Sequence, residues 1–85
     1  MDYSERNYRV VFVKKALQDI RALDKTSYLQ VRDIVNSLAY NARPADATKT
    51  GRDRFHLKVP AGNYDIYYEI EPNALFVIVT KLAQI

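Results

Sequence analysis

Between Arg54 and Ile70, apolar and polar residues alternate on both sides of a turn, and no other stretch so narrows what the chain can fold into. Phe55, Leu57 and Val59 alternate with Arg54, His56 and Lys58. Beyond the turn, Tyr64, Ile66, Tyr68 and Ile70 alternate with Asp65, Tyr67 and Glu69. That is the period of a β-hairpin with one face buried and one wet. Between the arms, Pro60-Ala61-Gly62-Asn63 reads as a tight turn with Gly62 at its third position, where a positive φ is required. Closing the turn at Pro60 and Asn63 sets Val59 opposite Tyr64, Leu57 opposite Ile66 and Phe55 opposite Tyr68. On the other face it sets Lys58 opposite Asp65, His56 opposite Tyr67 and Arg54 opposite Glu69. Apolar residues then meet apolar ones and both cations meet carboxylates, which supports the register, because a slip of one residue would reverse every side chain.

The rest of the chain supplies a cover for the apolar face. Tyr8 to Val13 is β-branched and aromatic, a first strand. From Lys14 the period changes: Ala16, Leu17, Ile20 and Leu23 mark an amphipathic helix. Asp24-Lys25-Thr26 breaks it, and Ser27 with Gln30 has the form of a capping box for a second helix, whose buried stripe is Tyr28, Val31, Ile34, Val35 and Leu38. So short a connection predicts an antiparallel helical hairpin. Pro44 ends the second helix. Past the β-hairpin, a turn at Glu71-Pro72-Asn73-Ala74 leads to a last strand, Leu75 to Thr80. That strand is apolar on both faces, which predicts burial on both sides and a place inside the sheet, with the first strand beyond it. The order is β-α-α-β-β-β: an α+β fold in which an antiparallel sheet carries a helical hairpin on one face and leaves the other open.

Eighty-five residues make a single domain with a small core. The absence of cysteine rules out disulfides and thiolate metal sites. The polar, acidic start is unlike a signal peptide, and Leu75 to Val79 is far too short to span a bilayer, so a soluble, cytoplasmic protein without a membrane association is expected. The net charge of +3 is unevenly placed. Arg43, Lys49, Arg52, Arg54 and Lys58 cluster against only Asp46 and Asp53, an arrangement that fits either phosphate binding or a solvated loop. No His, Asp and Glu cluster marks a metal site and no glycine-rich loop marks a nucleotide site, so no cofactor is expected.

Specific residues resemble the RelE/ParE superfamily of bacterial toxins from type II toxin-antitoxin systems. Tyr8-Arg9-Val10-Val11-Phe12 with Lys15-Ala16-Leu17 and Ile20 looks like its opening. Leu38, Asn41, Arg43-Pro44, Lys49 and Gly51 look like its second-helix exit, and Gly62-Asn63-Tyr64-Asp65-Ile66-Tyr67-Tyr68-Glu69-Ile70 is similar to its most recognisable segment. The resemblance implies the RelE-like fold and a cognate antitoxin. It also implies one of three functions: ribosome-dependent mRNA cleavage by a metal-independent endoribonuclease, ParE-like inhibition of DNA gyrase by binding, or a catalytically silent protein that only binds its antitoxin and DNA. Partners would be the ribosome and mRNA in the first case and DNA gyrase in the second. Carried over by position, His56 and Lys58 occupy the two basic places on the second strand. Asp65 stands where an arginine is expected, and the C-terminal arginine with tyrosine or histidine has no counterpart unless Lys81 serves.

Metal-free RNA cleavage needs a base for the 2′-hydroxyl, cations for the phosphorane and an acid for the leaving oxygen. The catalytic candidates are His56 as base or acid, Lys58 and Arg54. The RNA-binding candidates are Lys49, Arg52, Tyr67 and Lys81, with Tyr67 placed to stack on a base. The competing reading makes Lys58 with Asp65, and Arg54 with Glu69, exposed cross-strand pairs worth under about 1 kcal/mol each, and His56 a surface residue. Of the seven tyrosines, Tyr8, Tyr28, Tyr64 and Tyr68 are expected in the core with their hydroxyls at its rim.

Overall fold

A computed structural model describes residues 7–85 of the chain; the polar lead read as unlike a signal peptide falls mostly in residues 1–6, outside the described residues. The elements are β1 (Arg9–Phe12), α1 (Lys14–Arg21), α2 (Lys25–Leu38), β2 (Thr48–Lys49), β3 (His56–Ala61), β4 (Tyr64–Glu71) and β5 (Phe76–Gln84). They form one sheet in the order β1-β5-β4-β3-β2, with the last strand inside and the first beyond it, as the sequence predicts. Two features differ. β2 is an added two-residue strand, and β1 runs parallel to β5, so the sheet is mixed where an antiparallel one is expected. Alternation reports which face a residue takes and is silent on strand direction.

Both helices lie on one face. Ala16 of α1 and Val31, Val35 and Leu38 of α2 join Leu57, Val59, Ile66, Tyr68, Ile70, Val77, Val79 and Leu82 in one buried core. β5 is buried only on this side: Val77 and Val79 are sealed, whereas Phe76 and Ile78 on the open face are half-buried. Tyr68 is fully inside, Tyr8 and Tyr64 are half-buried, and Tyr28 is exposed, contrary to its expected place in the core. The second helix begins at Lys25, not at a Ser27 capping box. Asp24 is its N-cap by backbone geometry, and its carbonyl accepts from the Tyr28 N–H at 2.9 Å.

The β3–β4 hairpin keeps its faces but not its partners. Its turn is Gly62-Asn63, with Gly62 at φ +63° in the first central position, the place a type II′ turn gives to glycine. Val59 therefore pairs with Ile66, Leu57 with Tyr68, Lys58 with Tyr67 and His56 with Glu69. Each residue of β3 meets a partner two places further along β4 than the sequence reading sets it. A shift of two preserves every face, so inside stays inside while each polar partnership changes. Pro60 lies within β3, opposite Asp65 and beyond the end of β2, where β3 is an edge and a missing N–H is tolerated.

Candidate functional site

The open face of the sheet presents one row that crosses three strands: Lys58 of β3, Tyr67 of β4 and Lys81 of β5 are successive cross-strand partners. Both ammonium groups approach the Tyr67 ring, Lys58 Nζ at 5.9 Å and Lys81 Nζ at 4.6 Å from its centre, within cation–π range. Lys81 owes its place here to a β-bulge. Tyr67 pairs with Lys81 and Tyr68 with Val79, which leaves Thr80 as an extra residue on β5. Strict alternation from the buried Val79 would send Lys81 beneath the helices. The extra residue reverses that and returns Leu82 to the core instead. Thr80 Oγ1 donates to the Tyr67 carbonyl at 3.2 Å across this irregularity.

His56 lies in the neighbouring row, with its side chain 48% exposed. Its Nδ1 faces both oxygens of Asp53, at 2.9 and 3.1 Å, and its Nε2 faces Glu69 Oε2 at 3.5 Å. Asp53 is itself held, because its Oδ1 accepts the Phe55 N–H at 2.8 Å, the geometry of an Asx turn. A hydrogen bond to Asp53, its charge and that of Glu69 raise the His56 pKa above the ordinary 6.5 against a smaller opposing effect of desolvation. The same bond to His56 and that from Phe55 N–H lower the Asp53 carboxyl. The two carboxylates address opposite ring nitrogens and do not converge on a point, and among the described residues no group of His, Cys, Asp and Glu is gathered to hold a metal ion.

The other candidates divide. Arg54 sits in the turn before β3, not in the strand, with its guanidinium 5.4 Å from the centre of the Phe55 ring. Its carbonyl accepts from Arg43, whose guanidinium also lies over Phe55, at 5.7 Å. The expected Arg54–Glu69 pair is replaced by His56–Glu69, as the register requires. Lys49 pairs with Leu57 in the ladder, which turns it toward the helix side, away from His56; Thr48 beside it continues the row of Lys58. Arg52 is exposed in the bend that carries Asp53. Thus His56, Lys58, Tyr67 and Lys81 share one face, and Lys49 does not. The Lys58–Asp65 pair survives as a diagonal contact of 3.6 Å. Asp53 is the neighbour of His56 that sequence reasoning treats only as an opposing charge. The signal for it is the Asp-x-Phe spacing of an Asx turn running straight into the strand.

Solved structures of known proteins share this fold. The archaeal RelE–RelB complex of Pyrococcus horikoshii matches with a TM-score of 0.83 at 20% identity over 92% of this chain and 94% of that one. The fold is that of the RelE toxins. The isolated RelE toxin of E. coli matches at 0.80 and 19% identity over 91% of this chain and 83% of that chain, and the RelBE2 toxin-antitoxin complex of Mycobacterium tuberculosis at 0.77 and 18% over 93% and 99%. No protein-family model and no curated protein matches the sequence significantly. The matches span nearly the entire described chain. Among the described residues no helix is long and apolar enough to cross a membrane.

Proposed function

We propose that the chain is the toxin of a toxin-antitoxin pair and that it inhibits translation by cutting mRNA on the ribosome. The observation that carries this reading is the RelE fold over nine-tenths of the chain with, on its uncovered sheet face, a histidine and two lysines around a tyrosine. In such a cleavage the 2′-oxygen attacks phosphorus and the P–O5′ bond breaks. Lys58 and Lys81 offset charge on the phosphorane, Tyr67 stacks on a base, and His56 moves a proton. Arg54 and Arg52, beside this face, serve as outlying phosphate contacts, with Lys49 contributing only from the far side of the β2 edge. The antitoxin has a seat on the opposite side. An apolar groove of about 290 Å³ runs between β1 and the two helices and is lined by Phe12, Leu17, Ile20, Tyr28, Val31 and Val35. An amphipathic segment laid there would cover area that so small a core lacks.

Expression is expected to arrest growth, and co-expression of the product of the adjacent gene to relieve the arrest. Primer extension on cellular mRNA after induction should show new 5′ ends, lost in the His56→Ala, Lys58→Ala double variant. Cleavage undiminished in that variant would refute the site.

One observation favours a second reading. Asp65 pairs with Lys58, so the open face is close to electrically balanced, which suits a protein that acts by binding, as a gyrase inhibitor of the ParE kind or as a silent antitoxin partner. DNA damage with intact mRNA would select the gyrase inhibitor, and harmless expression the silent partner.

A further inference from the structure

Resting on the cleavage reading above, the geometry points to Asp53 as a positioning residue: it turns the His56 ring so that Nε2–H alone is left to meet RNA, and His56 is thereby the acid of the reaction rather than its base. The Asp53 carboxylate spans Nδ1 with both oxygens, at 2.9 and 3.1 Å. Because that carboxylate is pinned by the Phe55 N–H, the ring direction is set by backbone and not by a free rotamer. A carboxylate can only accept, so Nδ1 must carry a proton. Glu69 stands 3.5 Å from Nε2, at ion-pair distance, so its charge favours a proton on the second nitrogen as well. A carboxylate beside each nitrogen favours the imidazolium over the neutral ring, and an imidazolium has no lone pair with which to take the 2′-hydroxyl proton. It has an Nε2 proton to give.

The remaining charged and titratable groups around the ring do not reverse this. On the same face of β3 Lys58 lies two residues along, and on β4 Tyr67 and Glu71 flank Glu69. Lys58 is engaged by Asp65 and by the Tyr67 ring. From the β2 side, His56 is met through its backbone carbonyl, which accepts from the Thr50 N–H at 3.0 Å. The raised pKa of His56 agrees with the geometry. In the step itself, the O2′–P bond forms, the P–O5′ bond breaks, and the Nε2 proton passes to O5′. The 2′-hydroxyl proton leaves to water, and the neutral ring regains its own proton from solvent.

The test is single-turnover cleavage of a ribosome-bound message from pH 6 to 8.5 by the wild-type chain, Asp53→Asn and His56→Gln, with a proton NMR titration of His56 alongside. The chain has one histidine, so its ring resonance needs no assignment. Asparagine keeps an acceptor for Phe55 N–H and Nδ1 and removes only the charge. We expect His56→Gln to lose about 100-fold or more at pH 7. We expect Asp53→Asn to lie close to wild type at pH 6, to lose several-fold more by pH 8, and to titrate its histidine at lower pH. Cleavage by the wild type with an Asp53→Asn profile and titration that do not move would overturn the inference and leave the toxin reading intact. Absence of cleavage by the wild type at every pH would overturn the cleavage reading and the acid role together.

Discussion

Tyr68 Oη donates to the carbonyl of Ala42 at 2.8 Å inside the core, and so ties the middle of β4 to the segment leaving α2. Among the described residues Tyr68 is the largest fully buried side chain, and Ala42 is buried beside it. Removing only the hydroxyl, as Tyr68→Phe, leaves the ring packing in place and strands a buried carbonyl. The expected loss is about 1–2 kcal/mol, read as a lower midpoint in urea unfolding at unchanged slope.

The same hydroxyl predicts alkaline sensitivity. Burial pushes the Tyr68 pKa up from 10.0 to about 12, with Arg43 pulling it down and Asp46 pushing it up by less. The folded state therefore holds this proton more tightly than the unfolded one. Its contribution is complete below pH 10 and is lost as pH rises from 10 toward 12. Unfolding followed across that window should show a fall in stability for wild type that is reduced in Tyr68→Phe.

Asp19 predicts the acid side. Its carboxylate reaches across from α1 to β5, accepting from Lys15 Nζ at 2.6 Å and from the Leu82 N–H at 3.0 Å. Partial burial pushes its pKa up, but the bonds from Lys15 and the Leu82 N–H outweigh this and hold it below the ordinary 3.8. Here the folded state releases the proton more readily, so the stabilisation is present above the ordinary carboxylate range and lost as pH falls through the depressed value. Asp19→Ala is expected to cost about 1–2 kcal/mol at pH 7 and to flatten the decline below pH 4, measured by denaturant unfolding at a series of pH values.

Among the described residues two turn positions have positive φ, and they give predictions of opposite sign. Gly62 sits at φ +63°, which an L side chain rarely adopts, and a Cβ there would also push the flexible Gln30 side chain aside, so the backbone strain should make Gly62→Ala destabilise by about 1 kcal/mol or more. Leu75, at the end of the β4–β5 turn, adopts φ 59° and is 51% exposed, so it pays the left-handed strain for little burial. Leu75→Gly should gain about 0.5–1 kcal/mol, the relief of strain exceeding the added freedom of the unfolded chain. Thermal midpoints moving in the same direction for both variants would contradict this account.

Which side of the sheet each residue takes was legible because a period of two survives the shift that actually occurs: Leu57 and Val59 are inside whether they meet Ile66 and Tyr64 or Tyr68 and Ile66. The partners were not legible. Pro60 and Gly62 fit a type II turn as well as Gly62-Asn63 fits type II′, and only the path of the backbone decides between them. Ser27 and Asp24 compete in the same way for the start of α2, since both residue types cap helices. The parallel β1 and the bulge at Thr80 left no trace in the pattern, because direction and an inserted residue are properties of a pairing between distant segments. Of the candidate site, His56, Lys58, Tyr67 and Lys81 could be named from the sequence, and the structure places them on one sheet face. Asp53 was hidden because its contact with His56 is made by a loop, where no periodicity reports orientation.

Asp65 sets the charge of the face that RNA would meet. Its carboxylate lies 3.6 Å from Lys58 Nζ and cancels much of the attraction that lysine could offer a phosphate. Asp65→Asn keeps size and polarity while freeing Lys58. If the Lys58–Tyr67–Lys81 row carries RNA, Asp65→Asn should bind a single-stranded RNA oligonucleotide more tightly, with a salt dependence steeper by about 0.7 for a phosphate gained. Lys81→Ala should bind more weakly, with a slope shallower by a similar amount. Fluorescence anisotropy at several salt concentrations reads both. Affinities and slopes unchanged in both variants would remove this row from the path of the RNA. A loss confined to Lys81→Ala would place the strand on the β5 side of Tyr67, clear of Asp65.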